Sequence, residues 1–145
     1  MTQDATTQTT NLLFREIFMS TSTTHPTVLI VEDDLDSVYL LQRYLRSTGC
    51  RVVSTSLGEE AVALAEQEKP TAIVLDIALP GMNGWEVLRA LRSNLGTSNI
   101  PVVLCSALEE EAHGREAGAD GYLQKPVLYP DFRSALIDVG LNISL

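Results

Sequence analysis

From Thr27 onward one pattern recurs five times: a strand-like run, mostly apolar, then a stretch with helical spacing. The runs are TVLIV, RVVST, TAIVLD, IPVVLCS and GYLQ. Strands written as continuous Val, Ile and Leu, without polar alternation, have no wet face, so the sheet they form must be covered on both sides. Helices between the runs then link parallel strands by right-handed crossovers. The expected class is therefore doubly wound α/β, with five strands and five helices.

The helical stretches carry their own punctuation. Val38, Leu41 and Leu45 mark one face of the first helix, with Asp36, or else Asp34, as its N-cap and Ser47-Thr48-Gly49 as its end. The second opens at Gly58-Glu59-Glu60, buries Ala61, Val62, Leu64 and Ala65, and stops before Pro70. A third runs from about Gly84, with Val87, Leu88 and Leu91 inward and Glu86, Arg89 and Arg92 outward.

Ahead of this pattern, residues 1–26 are rich in Thr and Ser, with one apolar island, LLFREIFM, from Leu12 to Met19. They read as a flexible leader, and the island as a sticky terminal segment without a role of its own. Residues 27–140 form the expected domain and 141–145 a short tail, too short to be an attached output domain, so any output is expected to act through protein contact.

A net charge of −9, from 10 Lys and Arg against 19 Asp and Glu, repels polyphosphate and argues against nucleic acid as a partner. No apolar run reaches the roughly 18 residues that span a bilayer, and no signal peptide is evident, so a membrane partner is not expected. The two cysteines, Cys50 and Cys105, lack metal-site spacing. Cys105 lies within an apolar run and reads as a buried thiol, which fits a reduced, cytoplasmic setting.

A parallel sheet collects the C-terminal ends of its strands along one edge, where ligands of such folds bind. Reading each strand to its end places there Glu32, Asp33 and Asp34, then Asp76, Ser106 and Lys125. Any one of them alone is better read as a helix cap, a strand-end hydroxyl or a surface lysine. Together, several carboxylates with one cation would raise one another's pKa unless a metal joins them. Hard oxygen donors too few for a full cage suit Mg2+, which keeps waters and shares positions with phosphate. Asp76, ending an otherwise apolar strand, is the candidate nucleophile, and Lys125 and Ser106 the candidate contacts to a phosphoryl group.

These residues resemble the receiver domain of two-component response regulators, from about Thr27 to Val139, through VLIVEDD, VLDIALPGMNGWEVL, PVVLCSA and AGADGYLQKP. The resemblance implies a flavodoxin-like sheet of order 2-1-3-4-5 and a stand-alone, cytoplasmic phosphoacceptor domain rather than an enzyme. It makes Glu32 and Asp33 the acidic pair, Asp76 the phosphoacceptor, and Ser106 and Tyr122 the switch residues. Lys125 becomes the phosphate-binding lysine, the Ala78 carbonyl a further Mg2+ ligand, and Lys125-Pro126 a cis peptide. The implied partners are a histidine kinase or histidine phosphotransfer protein and a downstream protein target, with a phosphorylation-dependent dimer left open. On phosphorylation, Ser106 would move toward the phosphoryl oxygen and Tyr122 would turn inward from a solvent-facing rotamer.

The chain departs from the family's pattern at several points. Glutamate stands for aspartate at 32, serine for threonine at 106, and valine for phenylalanine at 127. Ser106 and Lys125 stand 19 positions apart, short of the family's spacing by nearly one helical turn, so the fourth helix should be truncated. Ala78 and Leu108 are apolar where they would flank an incoming water, which implies a long-lived acyl phosphate. Two other readings compete: a phosphorylation-independent scaffold of the same fold, and a phosphatase of the haloacid-dehalogenase type, suggested by Asp34-Leu35-Asp36 but lacking the length for a cap domain.

Overall fold

The computed structural model describes residues 25–142. The leader expected over 1–26, including its apolar island, lies outside the described residues as far as residue 24. Five strands, β1 (Thr27–Val31), β2 (Arg51–Thr55), β3 (Ala72–Asp76), β4 (Val102–Ser106) and β5 (Gly121–Gln124), alternate with five helices. These are α1 (Leu35–Arg46), α2 (Gly58–Glu68), α3 (Gly84–Ser93), α4 (Glu111–Glu116) and α5 (Tyr129–Asp138). All strands pair in parallel in the order β2-β1-β3-β4-β5.

Side chains alternate across each strand, so one continuous apolar run feeds two cores. Val28, Ile30, Val74, Val103 and Cys105 point to one face and meet Leu41 and Leu45 of α1 and Phe132 and Leu136 of α5. Leu29, Val31, Ile73, Leu75 and Leu104 point to the other, against Ala61 and Ala65 of α2 and Val87, Leu88 and Leu91 of α3. Val62 and Leu64, expected to be buried, are only half-buried, because α2 lies over the sheet along its alanines. Leu141, assigned to the tail on sequence, is buried, and its N–H donates to the Leu136 carbonyl at 2.9 Å.

The cap of α1 is Asp34, whose carboxylate accepts from the Ser37 N–H and hydroxyl at 3.2 and 2.7 Å. Asp36, the first choice on sequence, lies within the first turn, because the strand releases the chain two residues earlier. These bonds hold the exposed Asp34 carboxyl below its usual range. Asn83 caps α3 through the Glu86 N–H at 3.0 Å.

Gly84 follows that cap, and a Cβ there would stand 2.4 Å from the Asp76 carbonyl oxygen and 2.5 Å from Ile77 Cα. Only glycine lets α3 start flush against the end of β3, which fixes the backbone that carries Asp76. Arg92, expected to face water, instead ties α3 to the strand ends on the far side of the sheet. Its guanidinium donates to the carbonyls of Ser98, Ile100 and Gly118 and pairs with Asp120 at 2.7 Å.

Helix α4 has only six residues, in line with the short spacing between Ser106 and Lys125. No helix among the described residues is long and apolar enough to cross a membrane.

Candidate functional site

Glu32 follows β1, Asp76 ends β3, Ser106 ends β4, and Lys125 follows β5 at a cis peptide to Pro126. Glu32, Asp76 and Ser106 are almost fully buried, at 3%, 4% and 3% exposure, whereas Asp33 is exposed. The Lys125 ammonium donates to both Glu32 oxygens at 3.0 Å and to Asp76 Oδ2 at 3.3 Å. One cation thus bridges two buried carboxylates. The other Asp76 oxygen, Oδ1, accepts from the Ala78 N–H at 3.1 Å, and Glu32 Oε1 also accepts from the Asp34 N–H at 3.2 Å.

This balance of charge is incomplete. Burial first, and the Asp76 charge second, push the Glu32 carboxyl from 4.5 up to about 7, against the pull of the Lys125 hydrogen bond. Burial works against the Lys125 charge too, but hydrogen bonds and charge from Glu32 and Asp76 outweigh it and hold the ammonium above its ordinary value. Cys105, beneath the site, is buried and its thiol is pushed up to about 12 by desolvation, consistent with an inert core position.

Glu32, Asp33 and Asp76 each offer a carboxylate oxygen, and these atoms lie within 4.8 Å of one another. Such a set fits a small, hard divalent cation. A cation there would also relieve the strain on Glu32, because it stabilises the ionised form that burial disfavours. The Ala78 N–H faces Asp76.

Ser106 Oγ accepts from the Leu108 N–H at 3.0 Å. The carbonyl of Leu108 in turn accepts from the Tyr122 hydroxyl, which itself accepts from the Glu110 N–H at 3.0 Å. Tyr122 is thus tied to the loop that follows β4. Its ring is half-buried against the α3 side of the core, beside Gly114, where a Cβ would lie 3.7 Å from the ring. The tighter constraint at Gly114 is Leu104, whose Cδ1 would stand 2.9 Å from a Cβ there. Sequence reasoning did not find the main chain of Leu108 as the link between Ser106 and Tyr122, since a backbone donor and acceptor leave no mark in residue type.

The arrangement defines a class: an acidic pit with one lysine at the carboxyl edge of a five-stranded doubly wound sheet. The family model for the response regulator receiver domain matches residues 28–137, and the chain belongs to that family, the receiver domains of two-component signalling. Among its relatives, protein PilH of Pseudomonas aeruginosa is 39% identical over 69% of this chain and 85% of its own length. The transcriptional regulatory protein PrrA of Mycobacterium tuberculosis is 42% identical over 74% of this chain, which spans only 47% of that longer protein. The chemotaxis protein CheY4 of Vibrio cholerae superposes with a TM-score of 0.74 at 25% identity, over 80% of this chain and 99% of its own. The receiver domain of a sensor histidine kinase from Pseudomonas aeruginosa PAO1 superposes with a TM-score of 0.72 at 28% identity, over 81% of this chain and all of its own, and has a magnesium ion coordinated in its active-site cleft.

Proposed function

We propose that this receiver accepts a phosphoryl group on Asp76 from the phosphohistidine of a histidine kinase or histidine phosphotransfer protein, and passes the signal on by protein contact. The observation that carries this reading is the position of Asp76: buried, within 4.8 Å of oxygens from Glu32 and Asp33, and 3.3 Å from the Lys125 ammonium. Glu32, Asp33 and Asp76, with the Ala78 carbonyl, would hold Mg2+. When bound, that ion would offset the negative charge that otherwise keeps a phosphoryl group away from three carboxylates.

An Asp76 oxygen attacks phosphorus, the N–P bond to the donor imidazole breaks, and the imidazole retains the electron pair and takes up a proton. Lys125 is positioned to leave the Glu32 carboxylate and meet the new phosphoryl oxygens as a mobile point charge. Ser106 would give up the Leu108 N–H to donate its hydroxyl to the phosphoryl group. Because the Leu108 carbonyl is held by Tyr122, movement of Ser106 would be transmitted through one residue, Leu108, to Tyr122 and α4. Such a shift redistributes states that already exist and leaves the fold unchanged.

Ala78 and Leu108 are both exposed and apolar, so neither orients an attacking water. The acyl phosphate should therefore persist. Acetyl phosphate with Mg2+ is expected to produce one slower band on a phosphate-retarding gel, absent for Asp76→Ala and decaying over minutes or longer. Modification that survives in Asp76→Ala would sink the assignment, and decay within seconds would overturn the claim about lifetime. Repeated turnover of small phosphomonoesters would favour a phosphatase instead.

A further inference from the structure

Helix α2 opens on two adjacent glutamates, Glu59 and Glu60, both exposed and both outside the acidic pit. Their carboxylates leave the helix in two directions. Glu60 accepts from the Thr55 hydroxyl at 2.8 Å, and the Thr55 carbonyl accepts from the Glu32 N–H at 3.0 Å, which fixes the first turn of α2 relative to the main chain of a pit carboxylate. Glu59 Oε1 reaches instead to the loop between β3 and α3. It accepts from the Met82 N–H at 3.2 Å and lies over Gly81, 3.0 Å from where a Cβ would stand. The start of α2 presses on the same loop, since a Cβ on Gly58 would stand 2.6 Å from the Met82 carbonyl oxygen. That loop carries Ala78, whose N–H donates to Asp76 Oδ1 at 3.1 Å. Its base is closed by the Ile77 carbonyl, which accepts from the Leu79 and Gly84 N–H groups at 3.1 and 2.8 Å. At its tip, the bond to Glu59 is, among the described residues, the one hydrogen bond that joins Gly81 or Met82 to another element.

We propose that Glu59 is a positioning residue for the Asp76 site: by holding the loop tip it fixes the main chain at Ala78 and so sets the affinity of the pit for a divalent cation, an inference that rests on reading Glu32, Asp33, Asp76 and the Ala78 carbonyl as the Mg2+ ligands. A main-chain carbonyl has no rotamer to adjust. Its direction follows from the backbone angles of the loop, so restraint of the loop is the means by which it is made ready for an ion. Ala78 is exposed, and no packing of its own side chain supplies that restraint. A loop already held in the free protein loses less conformational freedom when the ion binds. The bond from Met82 is charge-assisted, which makes it stronger than a bond to a neutral acceptor. The Glu59 charge by itself would also draw a cation toward the pit. Glutamine separates the two effects, because it keeps the accepting oxygen and removes the charge.

The test compares Glu59→Ala and Glu59→Gln with the wild-type full chain, titrating Mg2+ into metal-free nitrogen-15 protein and following the Asp76 and Ala78 amides. Both replacements suit an exposed helical position, so the fold should be kept. Glu59→Ala is expected to weaken Mg2+ binding about three- to tenfold, the weight of one hydrogen bond, and to speed solvent exchange of the Met82 amide before any metal is added. Glu59→Gln should stay within about twofold of wild type in both respects. Equal affinity in wild type and Glu59→Ala overturns the inference. So does an equal loss in both variants, which would make the effect one of charge at a distance, and so does unchanged exchange at Met82 in Glu59→Ala. A wild-type chain that binds no Mg2+ would instead remove the proposed metal site, and this inference with it. None of these outcomes depends on phosphorylation of Asp76.

Discussion

At the scale of single residues, the site is a problem in electrostatics that Lys125 only partly solves. A carboxyl lifted from 4.5 to about 7 means that the folded protein holds a proton on Glu32 which the unfolded chain has already released. The unfolded state then binds fewer protons across that window, so this group's contribution to stability falls as pH rises from 4.5 toward 7. A divalent cation favours the ionised form and should reverse the trend. Thermal unfolding with and without Mg2+ is therefore expected to show a larger gain in Tm above pH 7 than at about pH 5.5, and the difference should shrink in Glu32→Gln. An equal gain at both pH values, or no gain, would argue against metal binding by these oxygens. The sequence made Glu32 and Asp76 legible, because carboxylates at the ends of apolar strands are conspicuous. It did not disclose that Lys125 would grip both Glu32 oxygens, since that contact joins residues 93 positions apart.

At the scale of elements, two junctions control the site. The start of α3 presses on the end of β3, so Gly84→Ala forces a Cβ onto the Asp76 carbonyl and should cost about 1–3 kcal/mol or more. Urea denaturation measures that cost, and phosphorylation by acetyl phosphate should slow in the same variant; a variant as stable and as reactive as wild type would show that the contact is not restrictive. The second junction is the main chain of Leu108, on either side of its Cα, between Ser106 and Tyr122. Tyr122→Phe keeps the ring and removes both hydrogen bonds, so it should cost about 1 kcal/mol and speed amide exchange at Glu110. Unchanged exchange there would mean that the tyrosine does not hold the loop. The spacing between Ser106 and Lys125 disclosed the short α4. The hydrogen bonds of the Tyr122 hydroxyl to the loop after β4 were not legible, because their partners are main-chain groups 14 and 12 positions away.

At the scale of the whole molecule, one sheet separates two cores, and each strand contributes to both. Truncation on either face should therefore weaken a single cooperative unit. Leu88→Ala is expected to cost about 2–5 kcal/mol and Phe132→Ala about 3–5. The two should add, being separated by the sheet, and the urea m-value should not change; a second transition in either variant would show that the two faces unfold separately. Much of this plan is set by composition along the chain. Continuous Val, Ile and Leu runs require cover on both faces, and the intervening amphipathic stretches supply it, so the parallel architecture and the gathering of strand-end acids follow from local pattern alone. What tertiary structure alone decided is which groups touch: Lys125 between Glu32 and Asp76, Arg92 across to the strand ends, Tyr122 on the Leu108 carbonyl, and Tyr44 on the Val127 carbonyl. Periodicity records which face of an element is dry, but contacts between distant segments depend on how whole elements pack, and no local pattern encodes that distance.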